Sequence, residues 1–152
     1  YSGFAGSSGS YLAKLNDVDA DGIDDLAVSS YGADIEGEEN VGFIQVIFGS
    51  YLRDLKTTQV AELDIGNLPS SAGVRIEGAL EGDFFGSTIA GAGDVNNDGY
   101  DDVIIGAPGA DPDDIAEAGS VYLISGHTIA EAADGIGVHS AGIINFADDL
   151  GL

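Results

Sequence analysis

Oxygen-bearing side chains recur at one fixed spacing in two places along this chain. Asp17, Asp19, Asp21 and Asp25 occupy positions 1, 3, 5 and 9 of a nine-residue stretch, with Gly22 at position 6. Asp94, Asn96, Asp98 and Asp102 repeat the arrangement around Gly99. A hard cation such as Ca²⁺ wants about six to eight oxygens at roughly 2.3–2.6 Å. Alternate residues of a curling loop aim their side chains to one side. The backbone carbonyl at position 7 (Ile23, Tyr100) adds another oxygen, and glycine permits the sharp bend. Two such loops on one chain imply two Ca²⁺ sites, with Asp17, Asp19, Asp21, Ile23 and Asp25 in the first and Asp94, Asn96, Asp98, Tyr100 and Asp102 in the second.

The flanking residues say what elements hold these loops. An EF-hand would need helices on both sides and a bidentate Glu at position 12. That position is Val28 in one loop and Ile105 in the other. Leu26, Ala27 and Val28 follow the first loop, and Val103, Ile104 and Ile105 follow the second. Short apolar runs rich in β-branched residues read as buried central strands. Each loop therefore joins strand to strand.

The two loops belong to an internal repeat. An offset of 77 maps Gly9 onto Gly86, Ala13 onto Ala90, Asp17 onto Asp94, Asp25 onto Asp102, Gly42 onto Gly119 and Gly49 onto Gly126. Leu150 and Gly151 resemble Phe85 and Gly86 at a shorter offset of 65, because the connector after Gly49 is longer than the one after Gly126. Units of this length with several strands each point to propeller blades or a β-solenoid. The first unit reads as strands at 11–15, 26–30, 43–48 and 73–78, with a helical turn within 50–56. The second reads as strands at 87–93, 103–107, 120–125 and 142–146, with an acidic loop at 108–118 and a helical turn at 128–133. The fold class is all-β, with two four-stranded units at 1–84 (including the long connector) and 85–152 (including the start of the next repeat).

In the second unit, Phe85 and Gly86 precede the oxygen-rich loop, and Gly106, Ala107 and Pro108 follow the apolar run behind it. With these as its Phe-Gly and Gly-Ala-Pro landmarks, the unit resembles the FG-GAP repeat of the integrin α-subunit β-propeller. The first unit departs from the pattern. Ser8 and Gly9 replace Phe-Gly, and Ser29, Ser30 and Tyr31 replace Gly-Ala-Pro, although the oxygen-rich loop is complete. The resemblance implies a propeller fold with calcium held in the turn between the first two strands of each blade. It says little about a ligand, because such propellers serve adhesion, matrix binding and enzyme appendages alike.

Composition narrows the partners. Four Lys and Arg stand against 27 Asp and Glu, for a net charge of −23. Repulsion excludes a nucleic-acid backbone or an anionic membrane surface as a partner. Two bound Ca²⁺ would leave the chain strongly acidic, so acids such as those at 111–117 and 35–40 are solvated surface. There is no cysteine, and calcium takes the place of disulfides as a staple in an extracellular or cell-surface setting. No apolar run approaches the length of a membrane span. The chain opens at Tyr1 rather than Met and carries no signal peptide, which suggests a processed or excised segment.

Catalysis has little to rest on. No Gly-x-Ser-x-Gly elbow is present, and neither His127 nor His139 sits in a motif with metal spacing. Both read as turn residues. The pairs Asp24–Asp25 and Asp101–Asp102 resemble acid/base pairs, but the second member of each is a cage ligand and the first is solvent-facing or an outer acceptor. The expectation is therefore no enzyme. It is instead a calcium-binding extracellular structural or adhesion module, with a lectin-like or protein-binding propeller, or a non-catalytic appendage of a secreted hydrolase, as the alternative. Two blades cannot close a ring. The expected partners are thus other blades or copies of itself, in a head-to-tail ring or filament, with an extracellular protein or glycan as a further partner.

Overall fold

The apolar runs behind each oxygen-rich loop become the second strand of a sheet. In this computed structural model, residues 10–55, 62–112, 118–135 and 143–145 are described. The first sheet contains β1 (Ser10–Lys14), β2 (Leu26–Ser30), β3 (Phe43–Ile47) and β4 (Gly73–Glu77), an antiparallel meander in chain order. The second contains β5 (Thr88–Gly93), β6 (Asp102–Ala107) and β7 (Ser120–Ile124), again antiparallel. Helix α1 (Gly49–Leu55) follows β3, and α2 (Gly126–Ala133) follows β7.

The repeat seen in the sequence is also a repeat of strand register. Leu26 pairs with Ile47 in the first sheet, and their counterparts Val103 and Ile124 pair in the second. Leu12 pairs with Val28, and Ile89 with Ile105. A one-residue slip would turn every side chain to the wrong face, so shared register means shared inside and outside.

One expectation is corrected. The sequence pattern places the strand at 142–146 in the second unit, but β8 (Ile143–Asn145) lies parallel to β4 and extends the first sheet to five strands. Helix α2 explains the detour, because it packs against β4 and β8 as well as β6 and so delivers the chain beside the open edge of β4. Ile144 is fully buried there, next to Ile76. The second sheet therefore has three strands among the described residues, not four.

The core lies between the two sheets. Ala27, Ile44, Val46, Val74 and Ile76 of the first sheet join Val103, Ile105 and Ile124 of the second in one cluster, closed by Phe85 and by Ile129 and Ala132 of α2. Phe85 is 1% exposed, and its ring lies 5.6 Å from that of Tyr122. The opposite face of the second sheet is bare: Ile104 is 40% exposed, Leu123 58% and Val121 70%. By the offset of 77 these three correspond to Ala27, Val46 and Ile44, which in the first sheet are all fully buried.

Candidate metal centres in the strand-connecting loops

The loop between β1 and β2 is shaped by its own carboxylates. Asp21 N–H donates to Asp17 Oδ1 (2.9 Å) and to Asp19 Oδ1 (3.2 Å), Gly22 N–H to Asp17 Oδ2 (2.8 Å), and Ile23 N–H to Asp21 Oδ1 (2.8 Å). The loop between β5 and β6 repeats the set: Asp98 N–H to Asp94 Oδ1 and Asn96 Oδ1 (both 2.9 Å), Gly99 N–H to Asp94 Oδ2 (3.0 Å), and Tyr100 N–H to Asp98 Oδ1 (3.0 Å). Short acidic and amide side chains bonding the backbone two residues on are what curl such a turn. Gly22 and Gly99 have φ of 87° and 93°, and a Cβ added at either would meet nothing within 4 Å, so their requirement is conformational rather than steric.

Ligand oxygens of Asp17, Asp19 and Asp21 all lie within 4.8 Å of one another. In the second loop, Asp94 and Asn96 each aim Oδ1 at the single N–H of Asp98, which draws the same two positions together. The donor set is all oxygen and mostly anionic, the chemistry that suits a hard divalent cation and not a soft one.

The ninth-position acids stand apart from that three-residue group. Asp25 is fully buried, and its two oxygens accept from Val18 N–H (2.9 Å) and Gly49 N–H (2.7 Å). Asp102, 1% exposed, accepts equivalently from Val95 (3.0 Å) and Gly126 (3.1 Å). Each thus anchors the start of its loop to the first residue of the helix beyond the third strand. Ile23 and Tyr100 are half-buried at the seventh position, held by their N–H groups.

Electrostatics separates the two loops. Burial, then the neighbouring Asp21 charge, pushes the Asp19 carboxyl up to about 6. Burial pushes Asp25 up to about 7 against the opposing pull of its two N–H donors. Asp98 is the opposite case, since the Tyr100 N–H, followed by contacts from Asn96 and Ser125, holds its carboxyl below the usual range. The first loop concentrates charge that a cation would neutralise. The second is quieter because Asn96 replaces Asp19, and because Ser125 Oγ donates to Asp98 Oδ2 at 3.2 Å.

Sequence reasoning passes over several participants. Ser125 both caps α2 and braces Asp98. Asp24 and Asp101 occupy the same eighth position but behave differently. Asp24 is exposed and pairs with Lys14, whereas Asp101 Oδ2 accepts the N–H of Asp17, in the other loop, at 3.2 Å. The signal is present in the repeat, because Gly91 stands where the first unit has Lys14. His127 lies in the first turn of α2 with its ring edge-on to Tyr100 at 5.1 Å, while His139 falls outside the described residues.

Residues 85–124, from the buried phenylalanine through the second loop to the end of β7, match the FG-GAP repeat. The chain is an FG-GAP repeat protein. It is 31% identical over 116 residues to integrin alpha-PS5 of Drosophila melanogaster, covering 76% of this chain and 10% of that protein. It is 33% identical over 107 residues to integrin alpha-5 of Xenopus laevis, covering 70% of this chain and 9% of that protein. Phosphatidylinositol-glycan-specific phospholipase D of Mus musculus matches at 32% over 114 residues, 72% of this chain and 12% of the enzyme. This FG-GAP chain thus spans about a tenth of the length of the curated relatives it matches. The chain matches both integrin α subunits and a protein named as a phospholipase. No helix among the described residues is long and apolar enough to cross a membrane.

Proposed function

We propose that this chain is a non-catalytic, calcium-binding module of an integrin-like propeller, working outside the cell or at its surface in a structural or adhesive role. One observation carries the reading. The same curled, oxygen-lined loop occurs twice at equivalent places, and in the first the oxygens of Asp17, Asp19 and Asp21 converge within 4.8 Å. Asp17, Asp19 and Asp21 would hold one Ca²⁺, and Asp94, Asn96 and Asp98 the other. Asp25 and Asp102 would serve as further oxygens while fixing each loop to the helix behind it, and the carbonyls of Ile23 and Tyr100 would complete the sets. A bound cation supplies charge neutralisation and ties the loop to both strands it joins. Calcium titration followed by thermal melting tests this. Calcium should raise the melting temperature, a chelator should lower it, and Asp21→Ala and Asp98→Ala should each remove part of the gain. An unchanged melt on chelation would refute the reading. The phospholipase match favours a second reading, a non-catalytic appendage of a secreted hydrolase. A catalytic domain encoded beside this segment would decide for it.

The partner we propose is another unit of the same repeat, whether in a longer chain or in a second copy. The units proposed are 1–84 and 85–152, the second lending residues 143–145 to the sheet of the first. Support comes from the offset. The face formed by Ala90, Ile104, Val121 and Leu123 on the second sheet is the counterpart of the face by which the first sheet contributes Ala27, Ile44 and Val46 to the core. A third unit presenting what the second presents to the first would cover it, and repetition of that contact gives a ring or a filament. Light scattering should find an oligomer of the isolated chain that Leu123→Asp disperses without lowering the melting temperature. A stable monomer at micromolar concentration would defeat the assembly reading.

A further inference from the structure

We infer that the two loops are energetically coupled, and that Asp101 is the residue that couples them. The inference rests on the reading of both loops as cation sites. The link is a reciprocal pair of hydrogen bonds between loops. Asp17 N–H donates to Asp101 Oδ2 at 3.2 Å, and Asp101 N–H donates to the Asp17 carbonyl at 3.1 Å. Asp17 is the first oxygen donor of the first loop, and its own carboxylate is held by Asp21 and Gly22. Asp101 sits between Tyr100, which is fixed to Asp98, and Asp102, which is fixed to Val95 and Gly126. Each side of the link is therefore tied to a proposed cation ligand.

The junction has no slack. A Cβ on Gly126 would lie 2.3 Å from the Asp101 carbonyl oxygen and 2.7 Å from that of Val18, so helix α2 and the two loops meet backbone to backbone. Beneath them β1 and β5 are in contact, where Gly91 lies against Leu15 and Asn16. Ordering one loop around a cation must order this shared junction, and the second cation then meets a loop already partly fixed. Positive coupling follows from the shared loss of conformational freedom. Mutual repulsion of the two cations opposes it, and water and salt screen that term where the loops open to solvent at Asp21 and Asp98. By linkage the effect of each site on the other must be equal.

The test is a calcium titration of the whole chain followed by NMR, using the Gly22 and Gly99 amides as separate reporters of the two loops. Asp98→Ala should weaken calcium at the first loop, and Asp21→Ala should weaken it at the second by the same factor, about tenfold within the usual range of roughly 5- to 150-fold for coupled sites. Asp98→Asn, which keeps an oxygen for the Tyr100 N–H and removes one ligand charge, provides a weaker form of the same comparison if the alanine variant does not fold. Asp101→Ala should leave both loops able to bind but reduce the mutual effect, since it removes the acceptor of Asp17 N–H and keeps the Asp101 N–H bond to the Asp17 carbonyl. Asp101→Asn, which retains an acceptor for Asp17 N–H, should restore it. Loops that titrate with unchanged affinities in the Asp21 and Asp98 variants would overturn the coupling while leaving the cation sites intact. Failure of either amide to respond to calcium in the unaltered chain would remove the cation reading, and the coupling with it.

Discussion

Gly126→Ala should cost this protein stability, even though alanine is the better helix former. Gly126 opens α2, and an added Cβ would sit 2.3 Å from the Asp101 carbonyl oxygen, 2.7 Å from the Val18 carbonyl oxygen and 3.0 Å from the Tyr100 Cβ. Ordinary contact begins near 3.4 Å, so the Asp101 carbonyl would have to retreat by about 1 Å. The obstacles include backbone from two different loops, which cannot swing aside as a side chain would. Overpacking of this kind costs about 1–3 kcal/mol, and the upper end applies. Gains in helix propensity and reduced unfolded-state freedom return about 1 kcal/mol. A net loss of about 2 kcal/mol corresponds to a fall in melting temperature of roughly 4–8 °C for a chain of this size. The Gly126 N–H also holds Asp102, so calcium should stabilise the variant less than the unaltered chain. Thermal melts by circular dichroism, with calcium and with chelator, measure both quantities. A variant as stable as the parent would mean that the helix does not begin against the two loops, and the close-packed junction would be wrong.

Three other outcomes are expected. Phe85→Ala removes a ring that is 1% exposed and should cost about 3–5 kcal/mol in urea denaturation; a loss under about 1 kcal/mol would contradict its place in the core. In the metal-free protein, Asp19 and Asp25 titrate at about 6 and about 7, well above unfolded carboxyls near 3.9. The folded state therefore binds protons more readily, and stability in chelator should rise as pH falls from about 8 toward 5, whereas apparent calcium affinity at the first loop should fall over the same window. A chelated melting temperature that drops between about pH 8 and 5 would refute that sign. Because the first loop carries four carboxylates against three and an amide in the second, it should fill first in a site-resolved calcium titration. Prior filling of the second loop would mean that the bracing by Ser125 outweighs charge.

Periodicity and repetition make most of the framework readable from residues alone. The apolar runs at Leu26 and Val103 are central strands because β-branched residues between turn signals have few other uses, and the offset of 77 carries through to paired register. The curl of both loops is likewise legible, since alternating short acids beside glycine bond their own backbone. The partner of β8 is not. A three-residue apolar strand carries no information about which of two open edges it will join, and the packing of α2 makes the choice. The ninth-position acids read from sequence only as cage oxygens, because the N–H groups of Gly49 and Gly126 that they satisfy lie 24 residues away. The divergence of Asp24 and Asp101 hangs on a single difference, Lys14 against Gly91, whose meaning appears only once β1 and β5 lie side by side.

The parallel strap of β8 on β4 also sets an order of events during synthesis. Strands β1 to β4 close on one another through connections within residues 10–77, but among the described residues the free edge of β4 is completed by residues 143–145. Until that segment has left the ribosome, β4 lacks the partner strand it has in the folded chain, with the apolar Val74 and Ile76 beside that edge. Pairing over so long a separation is slow compared with hairpin closure. The nascent first sheet therefore passes through a stage in which any other extended segment, including the same strand on a neighbouring ribosome, can compete for that edge.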